Sequence, residues 1–250
     1  MSVSAIILAA GEGTRMRSTR PKPLHMICGR AMVLHVIHSL ELLAPDRTAV
    51  VVGHGAEQVT KKVQQMAPSW ANVAFVEQHE QNGTGDATSI GMTAFGGDDY
   101  EDESTIVVLP GDTPLLRPDT LRELVETHVE CGNAATLLTS IMDDPTGYGR
   151  VIRKADGQAA RIVEHRDAAP DELDVKESCS SIYAFRRDLL GPALRKLTTD
   201  NAQGEYYLTD VISVLGTMGH RIGVVQAPAG ETQGVNDRWQ LALAERELRS

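Results

Sequence analysis

Short apolar runs bounded by turn residues alternate along most of the chain with segments of helical periodicity, the pattern of βαβ units around a mostly parallel sheet. Val3 to Ala10 predicts the first strand. Met32 to Leu43 predicts a helix, because Val33, Val36, Ile37, Leu40 and Leu43 recur at three- and four-residue spacing and share one face. Thr48 to Val52 reads as a strand, and a polar helix lies near Gln58 to Met66. A short strand at Val73 to Val76, a helix opening near Thr84 and a strongly apolar strand at Thr105 to Leu109 follow. Pro118 and Asp119 suit the first turn of a helix running to Glu130, where a proline loses no needed N–H and an acid meets the positive end of the dipole. Ala134 to Ile141 predicts another strand. Glycines, charges and short strands then fill Asp143 to Ile182, as an inserted β-rich lobe would require. Ile222 to Gln226 reads as a late strand and Arg238 to Leu248 as a closing amphipathic helix. No internal repeat interrupts this order, and the whole predicts an α/β fold.

Composition narrows the function classes. The 250 residues are 42% hydrophobic and 23% charged, as in a globular protein with a sizeable core. The early apolar stretch Ala5 to Ala10 is far shorter than the roughly 18 residues of a membrane span. Positive charges follow that stretch instead of preceding it, the reverse of a secretory signal, so a cytoplasmic protein with no membrane partner is expected. A formal charge of -10 repels a phosphate backbone and argues against nucleic-acid binding. Cys28, Cys131 and Cys179 are odd in number, widely spaced and without a CxxC pair, so they predict reduced thiols instead of a disulfide framework or zinc knuckle.

Against that acidic background one stretch stands out. Gly11-Glu12-Gly13-Thr14-Arg15 directly follows the first strand, and ligands of open parallel sheets sit at the carboxyl ends of strands. Its glycines suit a turn that presents backbone N–H groups to an anion. The sixth position of a dinucleotide fingerprint is Met16 and the Gly-Lys-Ser/Thr of a P-loop is missing, which excludes both standard motifs. Arg15, Arg17, Arg20 and Lys22 then place four cations in eight residues with no acid among them. Either they are solvated surface charges or they form a polyanion site. Pro110-Gly111-Asp112 follows the apolar strand Thr105 to Leu109, where Asp112 could hold Mg²⁺ on phosphate oxygens or simply cap its own turn. Gln78, just before Gly83-Thr84-Gly85, carries an amide able to read a base edge. His35 and His38 lack a companion acid or cysteine that would make them metal ligands.

Leu8 to Arg15 with Pro21-Lys22 resembles the signature loop of sugar-1-phosphate nucleotidyltransferases. Gly83 to Ala87, Gly111 to Leu115, Asp143 to Arg150, Ile162 to His165, Asn201 to Asp210 and Gly234 to Asn236 follow in order. Together they resemble the uridyltransferase domain of the bacterial N-acetylglucosamine-1-phosphate uridyltransferase (GlmU) family over nearly the whole chain. The resemblance implies a Rossmann-like mixed, mostly parallel sheet flanked by helices, with a small β-rich sugar-binding lobe. It implies one domain over 1–250, its nucleotide-binding part about 1–140 and its sugar-binding part about 141–235. The activity implied is uridylyl transfer from UTP to N-acetylglucosamine-1-phosphate with Mg²⁺ as cofactor. Arg15 and Lys22 would be catalytic. Leu8, Ala9, Ala10, Gly11, Gly13, Gln78, Gly83, Thr84, Gly111 and Asp112 would bind the nucleotide. Gly149, Glu164, Cys179, Tyr207, Thr209 and Asn236 would bind the sugar, and Asp112 and Asn236 would ligate the metal.

Three departures qualify that expectation. Glu177-Ser178-Cys179-Ser180-Ser181-Ile182 stands where the family has Glu-Ile/Val-Asn-Thr/Ser-Gly-Ile, so a thiol replaces a carboxamide and a serine replaces a close-approach glycine. A different sugar-1-phosphate, such as glucose-1-phosphate, is the alternative acceptor this raises, and a non-catalytic nucleotide-binding homologue is the alternative from another class. Pro110 lacks the N–H that another residue would offer there. The third departure is that no six-residue repeat of a β-helix acetyltransferase domain is present, so neither acetyl transfer nor the trimerisation that depends on it is expected.

Overall fold

The computed structural model describes residues 2–96 and 103–249. Its elements are β1 (Val3–Ala9), β2 (Met26–Ile27), β3 (Arg30–Ala31), α1 (Met32–Ser39), β4 (Arg47–Val52), α2 (Ala56–Met66), β5 (Val73–Glu77), α3 (Thr84–Met92), β6 (Thr105–Pro110) and α4 (Pro118–Glu130). They continue as β7 (Ala135–Ile141), β8 (Arg150–Arg153), β9 (Ala159–Val163), α5 (Pro170–Leu173), β10 (Glu177–Arg186), α6 (Arg187–Leu194), α7 (Asp210–Thr217), β11 (Ile222–Gln226), α8 (Ala229–Thr232) and α9 (Arg238–Arg249). Single turns of 3₁₀ helix lie at Thr14–Met16 and Lys22–Leu24.

The main sheet runs β11-β7-β10-β6-β1-β4-β5, with β8 and β9 added beside β10. β1 lies parallel between β4 and β6, with Leu8 opposite both Val51 and Pro110. Successive side chains of a strand point to opposite faces, so one aliphatic run feeds two cores. Ala5, Ile7 and Ala9 pack with Val33, Val36 and Ile37 of α1 and Leu121 and Leu124 of α4. Ile6 packs on the other face with Ala87 of α3, Leu190 of α6 and Leu215 of α7. The approach of α3 is close: a Cβ on Gly91 would lie 2.6 Å from Ile6. Truncating Ile6 to alanine would cost about 2–5 kcal/mol, as for other buried aliphatics.

Three sequence expectations change. The first helix stops at Ser39, and Ala44 takes a φ of 42°. Pro45 bars the helical region to Ala44, so the helix could not have run past that residue, and Leu40 stays buried beyond its end. β2 and β3 form a hairpin too short to show as a periodic pattern; Cys28 and Gly29, with φ of 47° and 80°, make its two-residue turn. The β-rich stretch does not close at Ile182. β10 runs from β8 into the main sheet, antiparallel between β6 and β7. A register shift between Cys179 and Tyr183, with Ser181 at a φ of 59°, breaks its alternation just where the lobe is expected to end. No helix among the described residues is long and apolar enough to cross a membrane.

Candidate active site

The carboxyl ends of β1 and β6 sit side by side, and their loops define the site. The Gly111 N–H donates to Leu8 O at 2.8 Å, and a Cβ at Gly111 would lie 3.0 Å from that oxygen. Pro110 therefore leaves the hydrogen bond between the two strand ends intact. After β1, Gly13 takes a left-handed φ of 64°, and a Cβ there would meet Lys22 Cβ at 2.6 Å. Only glycine lets the turn and the lysine stem share that space.

Four polar side chains meet at this edge. Arg15 donates to Asn236 Oδ1 at 2.9 Å, and Lys22 Nζ donates to the same oxygen at 2.8 Å. Lys22 also forms an ion pair with Asp112, both side chains being largely buried. Of the four clustered cations, Arg15 and Lys22 line the cleft, whereas Arg17 and Arg20 do not.

The cleft encloses about 520 Å³ and runs from these charges between two walls. On the first, Gln78 is buried at 3% exposure and its NH₂ group donates to Asp86 Oδ2 at 2.8 Å and to Gly83 O at 3.2 Å. Both acceptors fix the amide's orientation and leave its oxygen as the group available to a ligand. Thr84 Oγ1 accepts the Leu208 N–H at 3.0 Å, and the Gly85 N–H donates to Tyr206 O at 2.8 Å, so the loop before α7 is clamped onto the start of α3.

The second wall carries Glu164, Ser181, Tyr183, Tyr207 and Thr209. Burial pushes the Glu164 carboxyl above its ordinary range, against a 3.1 Å hydrogen bond from Thr209, and the Asp210 and Asp167 carboxylates push it further. The Tyr207 hydroxyl is buried beside the Gln203 and Asp167 side chains, and burial pushes its pKa up.

Leu8, Ala9, Ala10, Gly11, Gly83, Thr84, Gly111, Asp112 and Asn236 also line the cleft, as do Gly13 and Gln78. Gly149 and Cys179 do not. Gly149 backs the wall, where a Cβ would lie 3.5 Å from Glu164 Oε1. Cys179 is turned into the core, its thiol 3.2 Å from the Tyr183 hydroxyl and pushed up to about 12 by burial. Sequence reasoning did not single out Gln81 or Tyr183 and took Gln203 only as part of the Asn201 to Asp210 segment; Gln81 lies between Gln78 and Gly83, whereas Tyr183 reaches the cleft from a strand distant in the chain. His35 and His38 bond the backbone oxygens of Ile27 and Leu34.

Asp112 and Asn236 supply two oxygens, the donor type Mg²⁺ prefers, with the remainder of its shell left for phosphate and water. Their surroundings fit such a cation. The Lys22 ammonium already lies against both oxygens, and a Cβ at Gly234 would come within 3.3 Å of Asp112 Oδ1.

The model of the MobA-like NTP transferase domain matches residues 5–207. The bifunctional protein GlmU of Thermobifida fusca is 48% identical over 98% of this chain and 50% of its own length. That of Clostridium botulinum is 44% identical over 98% of the chain and 52% of its own. The chain thus spans about half the length of the curated relatives it matches. A crystal structure of UDP-glucose pyrophosphorylase complexed with UDP-glucose superposes with a TM-score of 0.77 at 15% identity, covering 100% of this chain and 99% of that one, which shows a shared fold.

Proposed function

The chain belongs to the MobA-like NTP transferase domain family, and from that premise we propose that it transfers UMP from UTP to N-acetylglucosamine-1-phosphate, with Mg²⁺ as cofactor. UDP-N-acetylglucosamine and pyrophosphate are the products. The observation that carries this reading is the meeting of Arg15, Lys22, Asp112 and Asn236 at one end of a cleft that Gln78 also lines.

The acceptor is itself a phosphate anion, so the chemistry needs alignment and charge stabilisation more than a base. Its phosphate oxygen forms a bond to the α-phosphorus while the bond to the bridging oxygen of the β-phosphate breaks, and that electron pair leaves on pyrophosphate. Arg15 and Lys22 offset the repulsion between the two anions and stabilise the negative charge spreading over the α-phosphoryl oxygens. Asp112 and Asn236 would hold the metal, which supplies electrophilic assistance to the phosphates when bound. At the base end, the Gln78 amide oxygen can accept only a donor, and uracil offers its ring N–H. Glu164 and Thr209 provide the acceptor and donor expected against sugar hydroxyls.

Ser181 favours a second reading, transfer to a different sugar-1-phosphate, because its side chain lines the cleft at a position whose left-handed φ suits glycine. Pyrophosphate release decides between them when UTP, CTP and dTTP are crossed with N-acetylglucosamine-1-phosphate, glucose-1-phosphate and no acceptor. Turnover confined to UTP with the N-acetyl sugar is expected. Preference for glucose-1-phosphate selects the second reading, and silence throughout rejects both.

A further inference from the structure

The residues from Gly234 to Gln240 touch every part of the charged end of the cleft. The Val235 N–H donates to Asp112 O at 2.8 Å, and Asn236 Oδ1 receives both Arg15 and Lys22. The Tyr148 hydroxyl, from the loop before β8, is directed at the Gly234 backbone. At the start of α9, Arg238 Nε donates to Met16 O at 2.9 Å and its terminal nitrogen to Arg17 O at 2.8 Å. Gln240 Oε1 accepts the Asn236 main-chain N–H at 2.7 Å, and the Gln240 N–H donates to Asp237 Oδ1 at 2.8 Å. This segment lies beyond residues 5–207, the range matched by the family model.

We infer that Arg238 and Gln240 are positioning residues, a latch by which the first turn of α9 holds Arg15 and Asn236 against each other. The turn they hold needs such support. Thr14–Met16 is a single 3₁₀ turn between two left-handed residues, Gly13 at a φ of 64° and Arg17 at 47°. A left-handed arginine costs about 1–2 kcal/mol, and single 3₁₀ turns have poor internal hydrogen-bond geometry. The planar fork of Arg238 fits two successive carbonyl oxygens at once, which a lysine cannot do from one nitrogen in the same geometry. Met16 follows Arg15 directly, so fixing its carbonyl fixes the backbone from which Arg15 reaches Asn236. On the other side, Gln240 fixes the main chain of Asn236. Neither Arg238 nor Gln240 lines the cleft, so their effect on chemistry passes through the residues they hold.

The inference rests on the proposed roles of Arg15 and Asn236, and two readouts separate its failure from theirs. The first is amide hydrogen exchange in the wild type, Arg238→Met and Arg238→Lys. The Met16 and Arg17 amides, bonded at 2.9 and 3.1 Å to Gly13 O and Thr14 O, are expected to exchange roughly tenfold faster or more in Arg238→Met while β1 amides keep their rates. Arg238→Lys should fall between the two. The second readout is steady-state kinetics, where Arg238→Met should lower kcat roughly tenfold to a hundredfold with KM for the sugar phosphate unchanged. Gln240→Met should act in the same sense. Unchanged exchange at Met16 and Arg17, a uniform acceleration over the whole chain, or faster exchange with unaltered kcat would each overturn the latch. A wild type that turns over none of the substrate pairs removes the proposed reaction alone, and the exchange rates still decide whether Arg238 holds the turn.

Discussion

The two ends of the cleft are built differently. At the charged end, where we propose that the triphosphate binds, backbone contacts between neighbouring strand ends leave little choice of residue. Gly111 N–H bonds Leu8 O, Gly13 yields to the lysine stem, and Arg15 and Lys22 share one amide oxygen. At the other end, the proposed sugar end, β10 crosses from the lobe into the main sheet through a register shift, with Cys179 facing inward and Ser181 held at a left-handed φ. One end thus depends on tight packing around a charge cluster, and the other on a strand irregularity. Such a division would keep the transfer chemistry fixed while the acceptor is free to change.

The largest effect expected from this division lies at the charged end. Lys22→Ala should reduce kcat roughly a hundred- to thousandfold, the usual loss for one preorganised charge-stabilising group, and rapid-quench turnover would measure it. Near-normal turnover would dissolve the distinction between the two ends. At the base, Asp86→Asn should lower the preference for UTP over CTP by roughly tenfold. A carboxylate only accepts and so holds the Gln78 NH₂ toward itself, whereas an asparagine can also donate, which weakens that hold and leaves the Gly83 carbonyl as the one remaining obligatory acceptor. Competition assays with both triphosphates read this ratio directly.

Effects at the sugar end should be smaller. The Glu164 carboxyl has a raised pKa, mainly through burial, so its protonated form persists to higher pH than in an exposed glutamate. As pH falls through that raised value the carboxylate is lost, and KM for the sugar phosphate should rise while KM for UTP does not. Glu164→Gln should remove that pH dependence. In the folding equilibrium the sign is the reverse of a paired carboxylate: the raised folded-state pKa means that Glu164 lowers stability as pH rises from its unfolded value through its folded one. Smallest of all, Ser181→Gly should stabilise the fold by about 0.5 kcal/mol in thermal unfolding, the left-handed penalty of about 1–2 kcal/mol being partly offset by glycine's backbone entropy of about 0.5–1 kcal/mol.

The same contrast governs what could be read before the fold was known. β1, β4, β6 and α4 are announced by aliphatic runs or by Pro118 and Asp119, and their order implies the position of the Gly11–Arg15 loop at a strand end. Gln78 and Asp112 are legible for the same reason, since each follows a strand in a parallel sheet. Less visible are features that arise from pairing between distant segments. The β-rich stretch reads as ending at Ile182, whereas β10 continues to Arg186 beyond a register shift that interrupts its alternation. The inward-turned Cys179 meets Tyr183 across the register shift, and no residue type signals it. Arg238 presents as one more charge on an amphipathic helix until Met16 and Arg17 are brought beneath it.

The transfer itself is tested most directly by following the acceptor's phosphate. N-acetylglucosamine-1-phosphate carrying an oxygen-isotope label in its phosphate would be incubated with UTP, Mg²⁺ and the protein, and the products read by phosphorus NMR. The account predicts UDP-N-acetylglucosamine with the label on the β-phosphorus, the α-phosphorus drawn from UTP, and unlabelled pyrophosphate. Label released as inorganic phosphate, or UTP consumed without any nucleotide sugar, would contradict it.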